Sequence, residues 1–377
     1  MLKKIYYFLL FFIPGLILFF FYLYYGSLYG GDTYRYVNAG YKTFEFIGIN
    51  FKEPQFYEHN LSLRAYIQLI PNLIIFLFSR IPNDGINFFP ILNIFLFIYI
   101  FYIYFKNFIK NFNISKKEAY IVCLFLFFGF YQIPGWTLKI LSETLFIFFS
   151  IVYFDQLFFK KKKMNIIFLS IALALIRPQG VLYLLFTLIF FLENKIKKFK
   201  IKYIIFFLFI SWFLLIPYII HLQLTSKNII FLPAEIANYY AEGNINDGWL
   251  YLNGDLNFII NKIRWVNTET ILLNSDFAFI FLVNLIRTIY SIIPLRLNYS
   301  LLINIWFFIY FITISIIAIK GLKKIKMNNI SKFHLYILIL LIIIFFNNIM
   351  VIDNFRYNLM LIVFIWQLIK FKYNSKI

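Results

Sequence analysis

Long apolar runs broken by short basic or polar blocks set the pattern of this chain. The runs read most clearly at Ile5–Tyr25, Phe88–Phe105, Ala119–Tyr131, Thr144–Phe159, Met164–Ile176, Val181–Leu192, Tyr203–Ile220, Leu301–Ile319, Leu335–Phe346 and Leu359–Ile369. A helix needs about 20 predominantly apolar residues to cross a bilayer. Runs shorter than that must draw on polar neighbours at their ends or lie in protein-lined surroundings. Two more apolar segments, Ala65–Phe78 and Phe277–Leu295, do not fit a simple count.

The basic residues orient the runs. They gather at Lys3–Lys4, Lys106–Lys117, Lys160–Lys163, Lys195–Lys202 and Lys320–Lys326, the distribution expected of cytoplasmic loops. If both extra segments crossed, Lys106–Lys117 and Lys320–Lys326 could not share a side with Lys160–Lys163. Ala65–Phe105 is therefore expected to make one net crossing, and Phe277–Leu295, with Arg287 in its middle, to lie along or re-enter the outer face. The fold expected is an all-α polytopic membrane protein of about ten transmembrane helices, a single domain over residues 1–377 with both termini inside. The unexplained polar residues then share the outer side: Gly26–Arg64 as a first outer loop, Gln132–Glu143, Arg177–Gly180, His221–Asp276 as a larger loop, and Asn347–Asn358.

Composition agrees with a bilayer. Hydrophobic residues make up 62% of the chain and mean hydropathy is +0.80, against about 45–50% apolar in soluble domains. The formal charge of +20 would suggest nucleic acid in a soluble protein; here its placement between apolar runs assigns it to the membrane surface, and no nucleic-acid partner is expected. Cys123 is the only cysteine, so no intrachain disulfide forms. The first run is too long for a signal peptide and is read as a retained helix. No Walker loop, dinucleotide fingerprint or Gly-x-Ser-x-Gly elbow occurs, and His59, His221 and His334 lack zinc spacing.

The chemistry is sought on the outer side. Asp32, behind Gly30 and Gly31 in GGDTYRYVNAG, is placed to cap a helix from Thr33 to about Thr43. That helix would lie in the interface plane with Tyr36, Ala39, Gly40 and Thr43 on one stripe. The same acid, partly desolvated, could serve as a general base. Glu143 starts the helix after IPGWTLK, where a carboxylate suits the helix start or can pair with Lys139 four residues earlier. Arg177 ends a thirteen-residue apolar run. An ionised arginine at membrane depth costs about 2.5–3.5 kcal/mol, so it must snorkel past the break at Pro178, find a partner, or hold an anion. Arg356, in VIDNFRYN, can pair with Asp353 or take the same anionic role beside Tyr357.

The acid followed by YxxAG (Asp32, Tyr36, Ala39, Gly40), LSETLFIFF at Leu141–Phe149, LIRPQG at Leu175–Gly180 and FRYNLML at Phe355–Leu361 come in the order, and at about the spacing, of a known group. The chain resembles the GT-C membrane glycosyltransferases, in particular bacterial relatives of the dolichyl-phosphate-mannose protein mannosyltransferases and of the aminoarabinose lipid A transferases. The resemblance implies a GT-C-like bundle with an interfacial helix in the first outer loop. It implies a sugar donor carried on a polyprenyl phosphate, a lipid or glycan acceptor, an extracytoplasmic site in the plasma membrane, and inversion at the anomeric carbon. By it, Asp32 is the catalytic base, Glu143 a second carboxylate near the acceptor, and Arg177, Arg356 and Tyr357 lie near the donor phosphate. Tyr36 and Glu53, the latter in the proline-containing loop Phe51–Asn60, would line the substrate site, with Lys139 in reserve for phosphate. Asp32 departs from the mannosyltransferase pattern because Thr33, not a second acid, follows it. No cofactor is implied; a divalent cation held by Asp32 and another carboxylate is the alternative. An O-antigen-type polymerase would use the same arginines without Asp32, and a transporter or flippase would predict inverted repeats and midplane acids, of which no repeat is found.

Overall fold

A computed structural model of the chain describes residues 2–29, 33–54, 61, 63–112, 115–130, 132–157, 162–193, 207–209, 211–224, 300–323 and 359–372. Asp32, Arg356, Tyr357, Phe277–Leu295, Leu335–Phe346 and most of the larger outer loop lie outside these residues. The chain forms two compact units, Met1–Phe231 with Tyr373–Lys376 and Leu232–Lys372 with Ile377. Helix accounts for 86% of the described residues, and none of them forms a strand, which leaves no sheet to consider.

The first unit runs α1 (Leu2–Tyr25), α2 (Thr33–Phe46), α3 (Leu63–Ile67), α4 (Leu69–Ser79), α5 (Phe89–Phe112), α6 (Lys116–Phe128), α7 (Gln132–Leu138), α8 (Glu143–Asp155), α9 (Lys163–Ile176), α10 (Val181–Glu193) and α11 (Ile216–Leu224). Among the described residues, three stretches are helices long and apolar enough to cross a membrane: Gly85–Ile109, Phe207–Leu224 and, in the second unit, Leu301–Gly321. Between Ala65 and Phe105, α4 has only 11 residues, about 16 Å of helix against a hydrocarbon core of about 30 Å. By length, the helix that follows is the one fit to cross there.

α8 has 13 residues, is apolar nearly throughout and is buried on almost every side. It packs on α5, α7 and α9. A helix that is hydrophobic all round must be covered by protein or lipid, and α8 is covered by protein. α9 continues the core through Ile167, Ile171, Ala174 and Leu175, which meet Leu184 of α10, Phe207, and Leu69 and Ile70 of α4.

Local chemistry fixes several ends. Ser115 and Glu118 form a reciprocal capping box at the start of α6, the Ser115 hydroxyl accepting from the Glu118 amide at 3.2 Å; two otherwise unpaired donors are satisfied at once. α9 stops at Arg177, whose backbone is extended (φ −150°, ψ 148°), because Pro178 disfavours helical geometry in the residue before it. α7 forms within the Gln132–Glu143 segment expected as an outer connection; Pro134 falls in its first turn, where proline's missing N–H has no helical acceptor to lose.

α2 begins at Thr33 as expected, and Tyr36, Ala39, Gly40 and Thr43 are all buried. The stripe packs on α4 and α3. A Cβ at Gly40 would come within 2.5 Å of the Asn72 carbonyl oxygen and of Phe76 Cβ. Ala39 also joins Leu61, Ala65, Tyr66 and Ile220 in a cluster that ties α2 to α3 and α11.

In the second unit, α12 (Leu301–Lys323) packs on α13 (Leu359–Lys372). Trp366 Nε1 donates to the Tyr310 hydroxyl at 3.2 Å in their shared interior. Within its own unit α12 turns Leu301, Leu302, Ile305, Trp306 and Ile309 outward, a continuous apolar face suited to lipid contact.

The close approach at Gly40 predicts a contrast. Gly40→Ala should cost about 1–3 kcal/mol through overpacking, lowering the unfolding midpoint in detergent. Gly135→Ala, with nothing within 4 Å of an added Cβ, should be neutral or slightly stabilising. Equal midpoints would contradict the α2–α4 contact.

Candidate functional site

The site grows from the two chain breaks that the sequence marks. At the first, α7 ends at Leu138 and α8 begins at Glu143. The connection is pinned to the end of α1 by a short parallel bridge: Leu28 N donates to Leu138 O and Ile140 N donates to Leu28 O, both at 3.1 Å. Asn93 of α5 supports it by donating to the Lys139 carbonyl at 3.2 Å. Thr33, the residue after Asp32, donates its hydroxyl to Ile140 O at 3.0 Å. The first turn of α2 is thus fastened two residues from Ser142.

At the second break the chain folds back on α9. Gly180 N donates to Arg177 O at 2.8 Å, and a Cβ at Gly180 would collide with the Leu173 carbonyl. Only glycine lets this turn lie so close to the helix it leaves, and that closeness sets where the Arg177 side chain starts.

Arg177 meets Glu143 there. Its Nη1 lies 2.9 Å from Glu143 Oε1, with the two side chains 2% and 0% exposed. The same Nη1 donates to Ser142 Oγ at 3.3 Å, and Nε donates to Gln179 Oε1 at 3.4 Å. Ser142 Oγ in turn lies 3.0 Å from the Tyr36 hydroxyl. Ser142 stands at the cap position of α8 but makes no cap hydrogen bond with its side chain; its hydroxyl is turned sideways to Arg177 and Tyr36. The distances rank the contacts, with the charged pair strongest and the Gln179 bond near the limit of useful geometry.

Arg177 therefore does not snorkel. It is buried, and Glu143 compensates its charge. An ion pair taken out of water repays its desolvation only with good geometry and further hydrogen bonds, which Ser142 and Gln179 supply. Glu143 does occupy the first turn of α8, where a carboxylate suits the helix dipole, and it pairs with Arg177 from that place.

Of the residues singled out from the sequence, Tyr36, Glu143 and Arg177 come together. Lys139 is half-buried and takes part through its backbone. Glu53 is exposed and belongs with Tyr41, whose hydroxyl is pushed up from its ordinary value by burial and then by Glu45 and Glu53. Asp32, Arg356 and Tyr357 lie outside the described residues. Ser142, Gln179 and Thr33 were missed, although Ser142 and Gln179 sit inside the two motifs that carry Glu143 and Arg177. Among the described residues no three His, Cys, Asp or Glu side chains gather as metal ligands.

Two substitutions probe the cluster. Arg177→Lys keeps a charge for Glu143 but cannot span Ser142 and Gln179 as well, and should cost about 1.5–3 kcal/mol, the range for hydrogen bonds to charged groups. Ser142→Ala should cost about 1 kcal/mol. Unfolding midpoints in detergent that fall in the reverse order would contradict this ranking. No protein-family model, curated protein or solved structure matches the chain.

Proposed function

We propose that the chain is a membrane glycosyltransferase of GT-C type that moves a sugar from a polyprenyl-phosphate donor to a hydroxyl of a lipid or glycan acceptor on the extracytoplasmic face, within a bundle of about ten crossings. One observation carries the reading. Tyr36 of the first outer loop, Ser142 and Glu143 of LSET, and Arg177 and Gln179 of RPQG are distant in sequence yet meet in one buried polar cluster. These residues come from three of the four segments on which the resemblance rests.

In this mechanism Asp32 takes the proton from the acceptor hydroxyl, whose oxygen attacks the anomeric carbon as the bond to the donor phosphate oxygen breaks. Arg177 stabilises the departing polyprenyl phosphate. Phosphate leaves without a dedicated acid. Glu143 acts as a positioning residue: it holds the Arg177 guanidinium in a fixed orientation, and Tyr36, through Ser142, links that orientation to α2, the helix that directly follows Asp32. Reorganisation is thereby avoided at the moment of reaction.

The test is transfer of radiolabelled sugar from polyprenyl-phosphate donors in membranes, comparing the natural chain with Asp32→Asn at matched protein level. Asparagine can still cap α2, so folding should be retained while transfer falls about 100-fold or more, the least expected of a lost general base. Full transfer by the variant would reduce Asp32 to a cap. No transfer by the natural chain from any such donor would overturn the reading.

A further inference from the structure

The C-terminal flank of α4 holds a second cation. Arg80 follows Ser79, and its backbone N–H closes the helix onto the Leu77 and Phe78 carbonyls. Its guanidinium carbon lies 4.5 Å from the centre of the Phe76 ring and 5.8 Å from that of Phe51. These rings are braced by Phe44 of α2, with centroid separations of 5.2–5.3 Å among the three. The charge thus rests on an aromatic platform that fixes the plane of the fork.

The nitrogens, in contrast to the platform, lack acceptors. Nε and Nη2 are buried and have no hydrogen-bond partner among the described residues, although buried polar groups in native proteins are nearly always satisfied. Burial lowers the pKa of Arg80 from its ordinary value, and the group that raises it again is the Tyr41 hydroxyl. Glu45 and Glu53 raise the pKa of the Tyr41 hydroxyl and Arg80 lowers it, and no described carboxylate is among the groups that raise that of Arg80.

Nε and Nη2 form the side of a guanidinium that donates two parallel hydrogen bonds to the oxygens of a phosphate. Close to Arg80 in the chain, Leu77 and Ile81 are 48% and 45% exposed, an apolar surface at the same end of α4. The C-terminal end of α4 opposes an anion, but only with about half a charge, against the full charge of Arg80. We propose that Arg80, seated on Phe76 and Phe51, is a phosphate-binding site whose neighbouring apolar surface suits the phosphate of a lipid headgroup. The site is separate from the Arg177 cluster and does not rest on the glycosyl-transfer reading.

The experiment titrates the purified full chain, in a neutral detergent, with short-chain phosphatidylglycerol and separately with inorganic phosphate, following heat. The natural chain should bind phosphatidylglycerol at least tenfold more tightly than Arg80→Gln, with Arg80→Lys between them because it keeps the charge and loses the fork. Binding of phosphatidylglycerol alone assigns the site to lipid; equal binding of inorganic phosphate assigns it to the phosphate group itself. Equal affinities of the natural chain and Arg80→Gln for both probes would overturn the site. Should Arg80→Gln fail to fold, Arg80→Lys decides, and affinity equal to the natural chain's would remove the fork from the account.

Discussion

A charged pair held away from water is the constraint around which the first unit is arranged. Arg177 and Glu143 are both buried and 2.9 Å apart. Either residue left alone in that place would cost more than most single contacts in the fold return. Their approach dictates much else. α9 must end where it does, and the turn at Gly180 must lie flat on Leu173. α8 must begin at Glu143, and Ser142 gives its hydroxyl to the cluster instead of to its own helix. Through Tyr36 and Thr33 the same point fixes the entry of α2.

The hydrophobic effect explains the surroundings, and it acts differently on the two apolar helices that look most alike. α8 and α12 are both apolar on nearly every face. α8 is enclosed by α5, α7 and α9, whereas α12 leaves large side chains uncovered within its own unit. Such a face belongs against hydrocarbon. The enclosed helix carries polar groups at both ends, Glu143 at its start and Asp155, which accepts from Asn107 at 2.8 Å, at its finish. Burial by protein lets these groups find partners that lipid could not offer.

Much of the helical layout was legible because the apolar runs and their punctuation are strong: α2 starts at Thr33, α9 stops before Pro178, and the buried stripe of α2 was named residue by residue. That Arg177 must snorkel, find a partner or hold an anion was also legible from cost alone. Which partner it takes was not. Charge pairing read along the chain offers local candidates such as Lys139 for Glu143, while a pair between α8 and the end of α9 depends on how two helices rotate against each other, which periodicity does not encode. Amphipathic spacing on α2 marked the stripe but does not say what that face meets. Its small residues, Ala39 and Gly40, were the available sign of a close helix neighbour. α6, α8, α9 and α10 stand where the apolar runs were read, whereas α7 was not expected as a helix.

The central claim, that Arg177 and Glu143 act as one unit on which the fold depends, is tested most directly by a double-mutant cycle on unfolding free energy in detergent. Arg177→Met and Glu143→Leu should each cost about 3–5 kcal/mol, because each leaves an uncompensated buried charge, and the double variant should cost much less than their sum. Additive costs would contradict the claim and reduce the pair to two charges that happen to lie close.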